Sequence, residues 1–346
     1  MTAATSDEEV VLEALATRRR LIDEAIDEEL PVEEPARLYE ASRYLLEAGG
    51  KRLRPAIVLL VSEALTDTVG DEVDYRAMPT CDGSGTVDMM RAALSIEIVQ
   101  SFTLIHDDIM DDDDLRRGVP AVHKEFDLET AILAGDTLYS KAFEILLETG
   151  ASPDRSIRAL RILATTCTRI CEGQSLDLAF ESDNDVRVPA YRDMIERKTA
   201  VLFRAAAAIP AVLLGADEST VESLGAYGQS VGEAFQIHDD VLDLTVPSDT
   251  LGKQRGSDLI EGKRTLITIH AARNGVNVDS LLSANPDEAE IEAAVAEIET
   301  AGSISFARAA ARDLVDDGVG QLAVLPSNDA TEQLRMLANY LIERGY

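Results

Sequence analysis

Between Leu104 and Gly118 the chain reads LIHDDIMDDDDLRRG, which sets Asp107, Asp108 and Asp111 at positions i, i+1 and i+4. On a helix, residues four apart differ by about 40° around the axis, so Asp107 and Asp111 project side by side. Two carboxylates held that close repel unless a cation sits between them. Oxygen-only ligation selects Mg²⁺ or Mn²⁺ over zinc, and Mg²⁺ takes its other ligands from water and substrate phosphates. A single such pattern is weak, because with 33 aspartates in 346 residues it arises by chance about 0.3 times per chain. A second one changes the weight. At 235–243 the chain reads FQIHDDVLD, placing Asp239, Asp240 and Asp243 behind the same Ile-His pair, 132 residues further on.

The cations follow the carboxylates. Of only six lysines, four lie in or beside conspicuous segments: Lys51 in GGKRLRP, Lys198 in RKTAVLF, and Lys253 and Lys263 in LGKQRGSDLIEGKRT. Arg116 and Arg117 directly follow the first aspartate cluster. Guanidinium forks and ammonium groups bind diphosphate oxygens and also balance nearby carboxylates. Any one of them alone reads as a surface charge; their coincidence with the aspartates does not.

These groups need rigid elements to position them. Aromatic residues make up 4% of the chain, Trp is absent and Ala, Leu and Glu are abundant, which predicts an all-α fold. Helical spacing covers 8–30, ending at Pro31 and Pro35, then a helix through Leu45 to Ala48 closed by Gly49-Gly50, and another from near Pro55 to about Leu65. Residues 66–87, 181–189 and 245–264 read as loops. Long apolar helices carry both aspartate clusters, another covers Thr130 to Leu147, and 288–299 and 305–317 add further helices in a C-terminal region that bears no motif. Such long helices suit a large bundle, read as one domain over 1–346.

Composition narrows the function classes. A net charge of −32, from 64 acidic and 32 basic residues, argues against nucleic acid and anionic membrane surfaces. It suits a salty cytoplasm, where strong screening tames a dense carboxylate coat. Cys81, Cys167 and Cys171 form no even framework and point to a reducing compartment. The first twenty residues lack a signal peptide's apolar stretch, and Val201 to Ala216, broken by Arg204 and Pro210, is too short to span a bilayer. A cytoplasmic protein without stable membrane insertion is expected.

In order and spacing, GGKRLRP at 49–55, the two DDxxD motifs and GKQRGSDLIEGK at 252–263 resemble the trans-isoprenyl diphosphate synthases, over nearly the whole chain. The resemblance implies a bundle of long antiparallel helices around a deep central cavity, a homodimer, and isopentenyl and allylic diphosphates as substrates. It implies that Asp107, Asp108, Asp111, Asp239, Asp240 and Asp243 belong to the sites of about three Mg²⁺ ions, some through water, with Mn²⁺ as a substitute. Arg116, Lys198 and Lys253 would bind the allylic diphosphate, and Lys51, Arg54, Gln100 and Arg117 that of isopentenyl diphosphate. Lys263 joins the substrate-binding set, and Thr199 and Gln236 would line the reacting carbons, so that Lys198, Thr199, Gln236 and Lys253 form the catalytic group.

The implied reaction is electrophilic. Cations stabilise the departing diphosphate, the allylic C–O bond ionises, the double bond of isopentenyl diphosphate attacks, and a proton is lost. No protein nucleophile is required, and His106 and His238 are given no assigned role. In the family, residues five and four positions before the first Asp, here Phe102 and Thr103, form the floor under the growing chain. Phe102 blocks and Thr103 leaves room, a pattern resembling the archaeal geranylgeranyl type, so C20 with some C15 is expected. A terpene cyclase would carry a different second metal motif, and a regulatory subunit would have lost an Asp or Lys cluster.

Overall fold

The computed structural model describes residues 7–343 apart from 69–72, 181–182, 184, 248–254 and 284–285. In chain order its helices are α1 (Asp7–Glu29), α2 (Ala36–Glu47), α3 (Leu53–Thr66), α4 (Met89–Met110), α5 (Val122–Glu125), α6 (Leu128–Leu147), α7 (Pro153–Phe180), α8 (Val188–Ile195), α9 (Val201–Leu214), α10 (Glu218–Thr245), α11 (Ser257–Ile260), α12 (Leu266–Arg273), α13 (Glu288–Thr300), α14 (Ser303–Gln321) and α15 (Asp329–Glu343). A π-turn, Glu196–Ala200, joins α8 to α9. The only strands among the described residues are two antiparallel two-residue pairs, β1 (Met78–Pro79) with β2 (Thr86–Val87) and β3 (Leu115–Arg116) with β4 (Val119–Pro120).

Side chains set several helix starts by satisfying the otherwise orphaned first N–H groups. Asp88 accepts from Arg91 N–H ahead of α4, and Asp127 accepts from Thr130 N–H ahead of α6. Thr265 and Thr268 cap α12 reciprocally, as do Asp287 and Glu290 at α13. Three expectations shift: residues 245–264, read as a loop, contain the last residue of α10 and all of α11, while 248–254 lie outside the described residues. The third helix begins at Leu53, two residues ahead of Pro55, and residues 66–87 contain a 3₁₀ turn (Tyr75–Ala77) and the β1–β2 hairpin. That hairpin is held by tertiary contact rather than by periodicity: Cys81 N–H donates to Leu214 O at 2.8 Å.

The chain divides into two compact units. The first runs to Cys167 and includes Leu202–Ala226 and Gln321–Met336; the second comprises Thr168–Val201, Tyr227–Gly320 and the chain from Leu337. In the first unit α4 is largely buried up to Val99, with Met89, Leu94, Ile96, Ile98, Val99 and, further on, Ile105 fully enclosed, as expected of a central helix. It packs most extensively against α6, then α3. Within this unit Arg18 grips Glu63 through two hydrogen bonds of 2.9 and 2.7 Å, and Tyr75 donates to the same carboxylate at 2.6 Å. In the second unit the apolar core includes Tyr191, Val231, Ile237, Val241, Ile267 and Ile298. No described helix is long and apolar enough to cross a membrane.

Candidate active site

In the first unit, the first aspartate cluster ends α4. Asp107 and Asp108 are helical, and Asp111 is the C-cap, still in αR conformation, with its N–H bonded to Asp107 O at 2.8 Å. The i,i+4 register therefore survives the helix end. Asp108 is fully buried; its Oδ1 accepts from Arg116 Nε at 2.7 Å, while Oδ2 is buried without a hydrogen-bond partner. Burial pushes the Asp108 carboxyl above the usual range, against the pull of Arg116. Arg116 lies on β3, and the turn to β4 is made by Arg117 and Gly118 with φ of +55° and +79°, the paired left-handed geometry of a tight hairpin.

That turn sends Arg117 toward the GGKRLRP segment. Its Nη1 donates to Leu45 O at 2.7 Å, and its guanidinium lies over Gly50, where an added Cβ would come within 3.1 Å of it. Arg52, in the left-handed conformation, is buried and donates to Asp23, Glu97 and Leu46 O. Glu97 thus stands between Arg52 and Arg117, the latter at 3.4 Å. Burial, with Arg52 nearby, lowers the Arg117 pKa. Lys51 is exposed, and Arg54 stacks over the Phe203 ring at 4.2 Å. Gln100 is half-buried one turn beyond Glu97 on α4, on the arc that also carries Leu104, Asp107 and Asp111.

Phe102 packs edge-on against Tyr139 of α6 and against His106, with ring centroids 5.4 and 5.9 Å apart. Thr103 donates to Gln100 O at 2.8 Å. His106 fills a notch left by Gly135, where a Cβ would sit 2.2 Å from its Nε2, so it serves packing between α4 and α6. His238 is buried in the second unit.

In the second unit, one cavity is lined by Lys198, Lys263, Thr199, Gln236, Asp177 and Asp258, together with Asp240, Tyr191 and Arg264. Lys198 and Thr199 lie on the π-turn, a backbone irregularity that concentrates at functional sites. Lys198 Nζ contacts Asp177 Oδ2 at 2.5 Å, and Thr199 donates to Gln236 Oε1 at 2.8 Å. Gly173 of α7 lies against the backbone of Lys198 and admits it only because it has no Cβ. Asp239, Asp240 and Asp243 are all within α10. Asp240 accepts from Tyr191 Oη at 2.6 Å and from Gln236 Nε2 at 3.0 Å. Burial first, then the neighbouring Asp258 charge, raises the Asp240 pKa, and burial likewise raises that of Tyr191. Asp243 receives Ser257 Oγ at 2.8 Å and Asp258 N–H at 3.2 Å, anchoring the segment that leads to Lys263. Although burial opposes its charge, Asp258, Glu261 and Asp177 together raise the Lys263 pKa.

Lys253 lies outside the described residues. Of the other site candidates, Arg116 meets Asp108 and Arg117 meets the glycine loop in the first unit, while Lys198, Thr199, Gln236, Asp240 and Lys263 share one cavity in the second. Sequence reasoning missed Asp177, Asp258, Tyr191, Gly173 and the Arg52–Glu97 pair. Of these, Arg52 stood inside GGKRLRP and Asp258 inside the later motif, five residues before Lys263. Among the described residues no group of three Asp, Glu, His or Cys side chains stands ready-made for a metal. The donor set nevertheless fits Mg²⁺: it is all oxygen, and the unpartnered buried Asp108 Oδ2 is a costly atom that a cation, directly or through its water, would satisfy.

The polyprenyl synthetase family model matches residues 35–298. The geranylfarnesyl diphosphate synthase of Natronomonas pharaonis is 62% identical over 333 residues, covering 96% of this chain and 97% of that protein. The geranylgeranyl diphosphate synthase of Methanosarcina mazei is 45% identical, with 97% and 98% covered. The solved geranylgeranyl pyrophosphate synthetase of Geoglobus acetivorans superposes with a TM-score of 0.85 at 43% identity, covering 95% of this chain and 99% of that one. By that family match and these likenesses along nearly its whole length, the chain belongs to the polyprenyl synthetase family and is a short-chain prenyltransferase that extends allylic diphosphates with isopentenyl diphosphate.

Proposed function

We propose that the principal product is geranylgeranyl diphosphate, C20, made from dimethylallyl, geranyl or farnesyl diphosphate in one catalytic domain. The observation that carries the chemistry is the second-unit cavity, where Lys198 and Lys263 stand beside Thr199 and Gln236 with acids to balance them. In this reading Lys198, Lys253 and Arg116 bind the allylic diphosphate, with Lys263 supporting them. Lys51, Arg54, Gln100 and Arg117 hold isopentenyl diphosphate. Asp107, Asp108, Asp111, Asp239, Asp240 and Asp243 hold about three Mg²⁺ ions, some through water, Mn²⁺ being a substitute.

Bound Mg²⁺ supplies neutralisation of the charge that builds on the leaving diphosphate. The chain's own cations do the same from fixed positions, at no reorganisation cost during ionisation. Thr199 and Gln236 offer oxygen lone pairs beside the reacting carbons, and no side chain has to act as nucleophile. The proton lost in the last step goes to the released diphosphate.

A second reading of product length is C25, favoured by the 62% identity to the Natronomonas geranylfarnesyl synthase; some C15 release is expected from the block by Phe102. A homodimer is proposed from the apolar residues that α6 leaves exposed, including Ile132, Leu133, Tyr139 and Leu147. The acidic chain, without a membrane-spanning helix among its described residues, is proposed to work in a salty cytoplasm. The test is incubation of the protein in high salt with Mg²⁺, isopentenyl diphosphate and each allylic primer, with chromatography of the products. A ladder ending at C20 and abolished by EDTA supports the reading, an end at C25 or C15 replaces the chain length, and no elongation by folded protein overturns it.

A further inference from the structure

The second unit contains a chain of hydrogen bonds whose direction is dictated by chemistry. Asp240 and Tyr191 are buried, and both hydrogen bonds at Asp240 run into its carboxylate oxygens. Tyr191 therefore donates to Oδ2, at 2.6 Å, and the Gln236 amide must turn its NH₂ to Oδ1, at 3.0 Å. With its nitrogen committed, Gln236 presents Oε1 to Thr199, whose hydroxyl proton is drawn to it at 2.8 Å. Thr199 lines the cavity beside Lys198. Its oxygen then has only lone pairs left to offer there.

We infer that Tyr191 is a positioning residue for the condensation: its hydroxyl anchors Asp240 and, through Gln236, keeps the Thr199 hydroxyl proton turned away from the reacting carbons. A hydroxyl held this way directs the negative end of its dipole at an allylic carbon that becomes positive in the transition state. Released, the same hydroxyl could rotate its proton toward that carbon and oppose ionisation. The Tyr191 bond to Asp240 ties α8 to α10. The inference rests on the synthase reading above and gives Tyr191, which lines the same cavity, a role exerted through Gln236 and Thr199.

The test is a double-mutant cycle on the full chain in the elongation assay, with Tyr191→Phe at one end and Thr199→Val at the other. Tyr191→Phe is expected to lower kcat about 10- to 100-fold, the scale of losing one hydrogen bond to a charged group. KM for isopentenyl diphosphate and the Mg²⁺ concentration for half-activity should stay within about twofold of wild type, since the change acts on the transition state rather than on binding. Once Thr199→Val has removed the hydroxyl being oriented, adding Tyr191→Phe should cost little more, and Thr199→Ser should retain the full Tyr191 effect. Unchanged kcat in Tyr191→Phe, additive losses, or a loss restored by raising Mg²⁺ would each overturn the inference while leaving the synthase reading intact. Failure of Tyr191→Phe to fold would also overturn it, because the hydroxyl would then serve the fold. Wild-type protein that elongates no primer would overturn both.

Discussion

Gly173→Ala asks how tightly the π-turn is positioned. A Cβ on residue 173 would lie 2.3 Å from Lys198 N, 2.6 Å from Lys198 Cα and 2.8 Å from Arg197 C. All three are backbone atoms, so no side chain can swing aside. Comfortable contact starts near about 3.5 Å, and relieving the clash therefore needs a retreat of about 1 Å. Overpacking of this kind costs about 1–3 kcal/mol, and replacing a helical glycine by alanine returns about 0.8–1 kcal/mol. Net destabilisation should therefore be no more than about 2 kcal/mol. The effect on the reaction is larger, because a shift of about 1 Å at reacting groups can cost about 100-fold in rate. The assay pairs kcat for geranyl diphosphate elongation with the urea unfolding midpoint. Gly320→Ala is the control: it sits on α14 with nothing within 4 Å of a new Cβ. It should stabilise by about 0.4–1 kcal/mol and leave kcat alone. If Gly173→Ala keeps kcat within about threefold of wild type, the positioning argument fails.

Phe102→Ala removes the ring that packs on Tyr139 and His106; products one or more isoprene units longer are expected by chromatography, and an unchanged profile would sink the floor role. Arg52→Met leaves the buried Glu97 with only the 3.4 Å contact to Arg117, so urea unfolding should show a loss of about 3–5 kcal/mol; a loss below about 1 kcal/mol would mean that Arg117 compensates. Asp127 caps α6 and pairs with Arg37 at 2.7 Å, which brings its carboxyl from 3.8 down to about 2. Because the folded pKa is the lower one, this stabilisation is present above about pH 4 and is lost as pH falls through about 2. At fixed salt the melting-temperature gap between wild type and Asp127→Asn should be largest near pH 5 and close toward pH 2; a gap independent of pH would refute the assignment.

What was legible in the sequence was local. The i,i+4 aspartates depend on helix period alone, and that period holds through the end of α4, where the Asp111 N–H still reaches Asp107 O. Lys198, Thr199 and Gln236 stood in quoted motifs and line one cavity. Asp177, Tyr191 and Gly173 were not legible, because their importance comes from approach between segments distant in sequence. Gly173 in particular looks like a helix weakness until the backbone of Lys198 is seen against it. Arg52 was hidden by similarity: it stands between Lys51 and Arg54, yet its left-handed backbone turns it into the interior against Glu97.

The adjacent aspartates within each motif carry the same lesson further. By residue type Asp107 and Asp108 are equivalent, as are Asp239 and Asp240. Successive helical residues differ by about 100° in direction, so only one of each pair can face the more open side. In both motifs it is the second that turns inward: Asp108 is buried against Arg116, and Asp240 against Tyr191 and Gln236. Asp107 and Asp239 remain half-exposed. A buried carboxylate needs fixed donors to offset its desolvation, and donors that hold one side chain also fix the turn of helix beside it. The second aspartate of each pair is therefore suited to holding the first in register, a division of labour set by where each helix meets the rest of its unit and invisible in two identical letters.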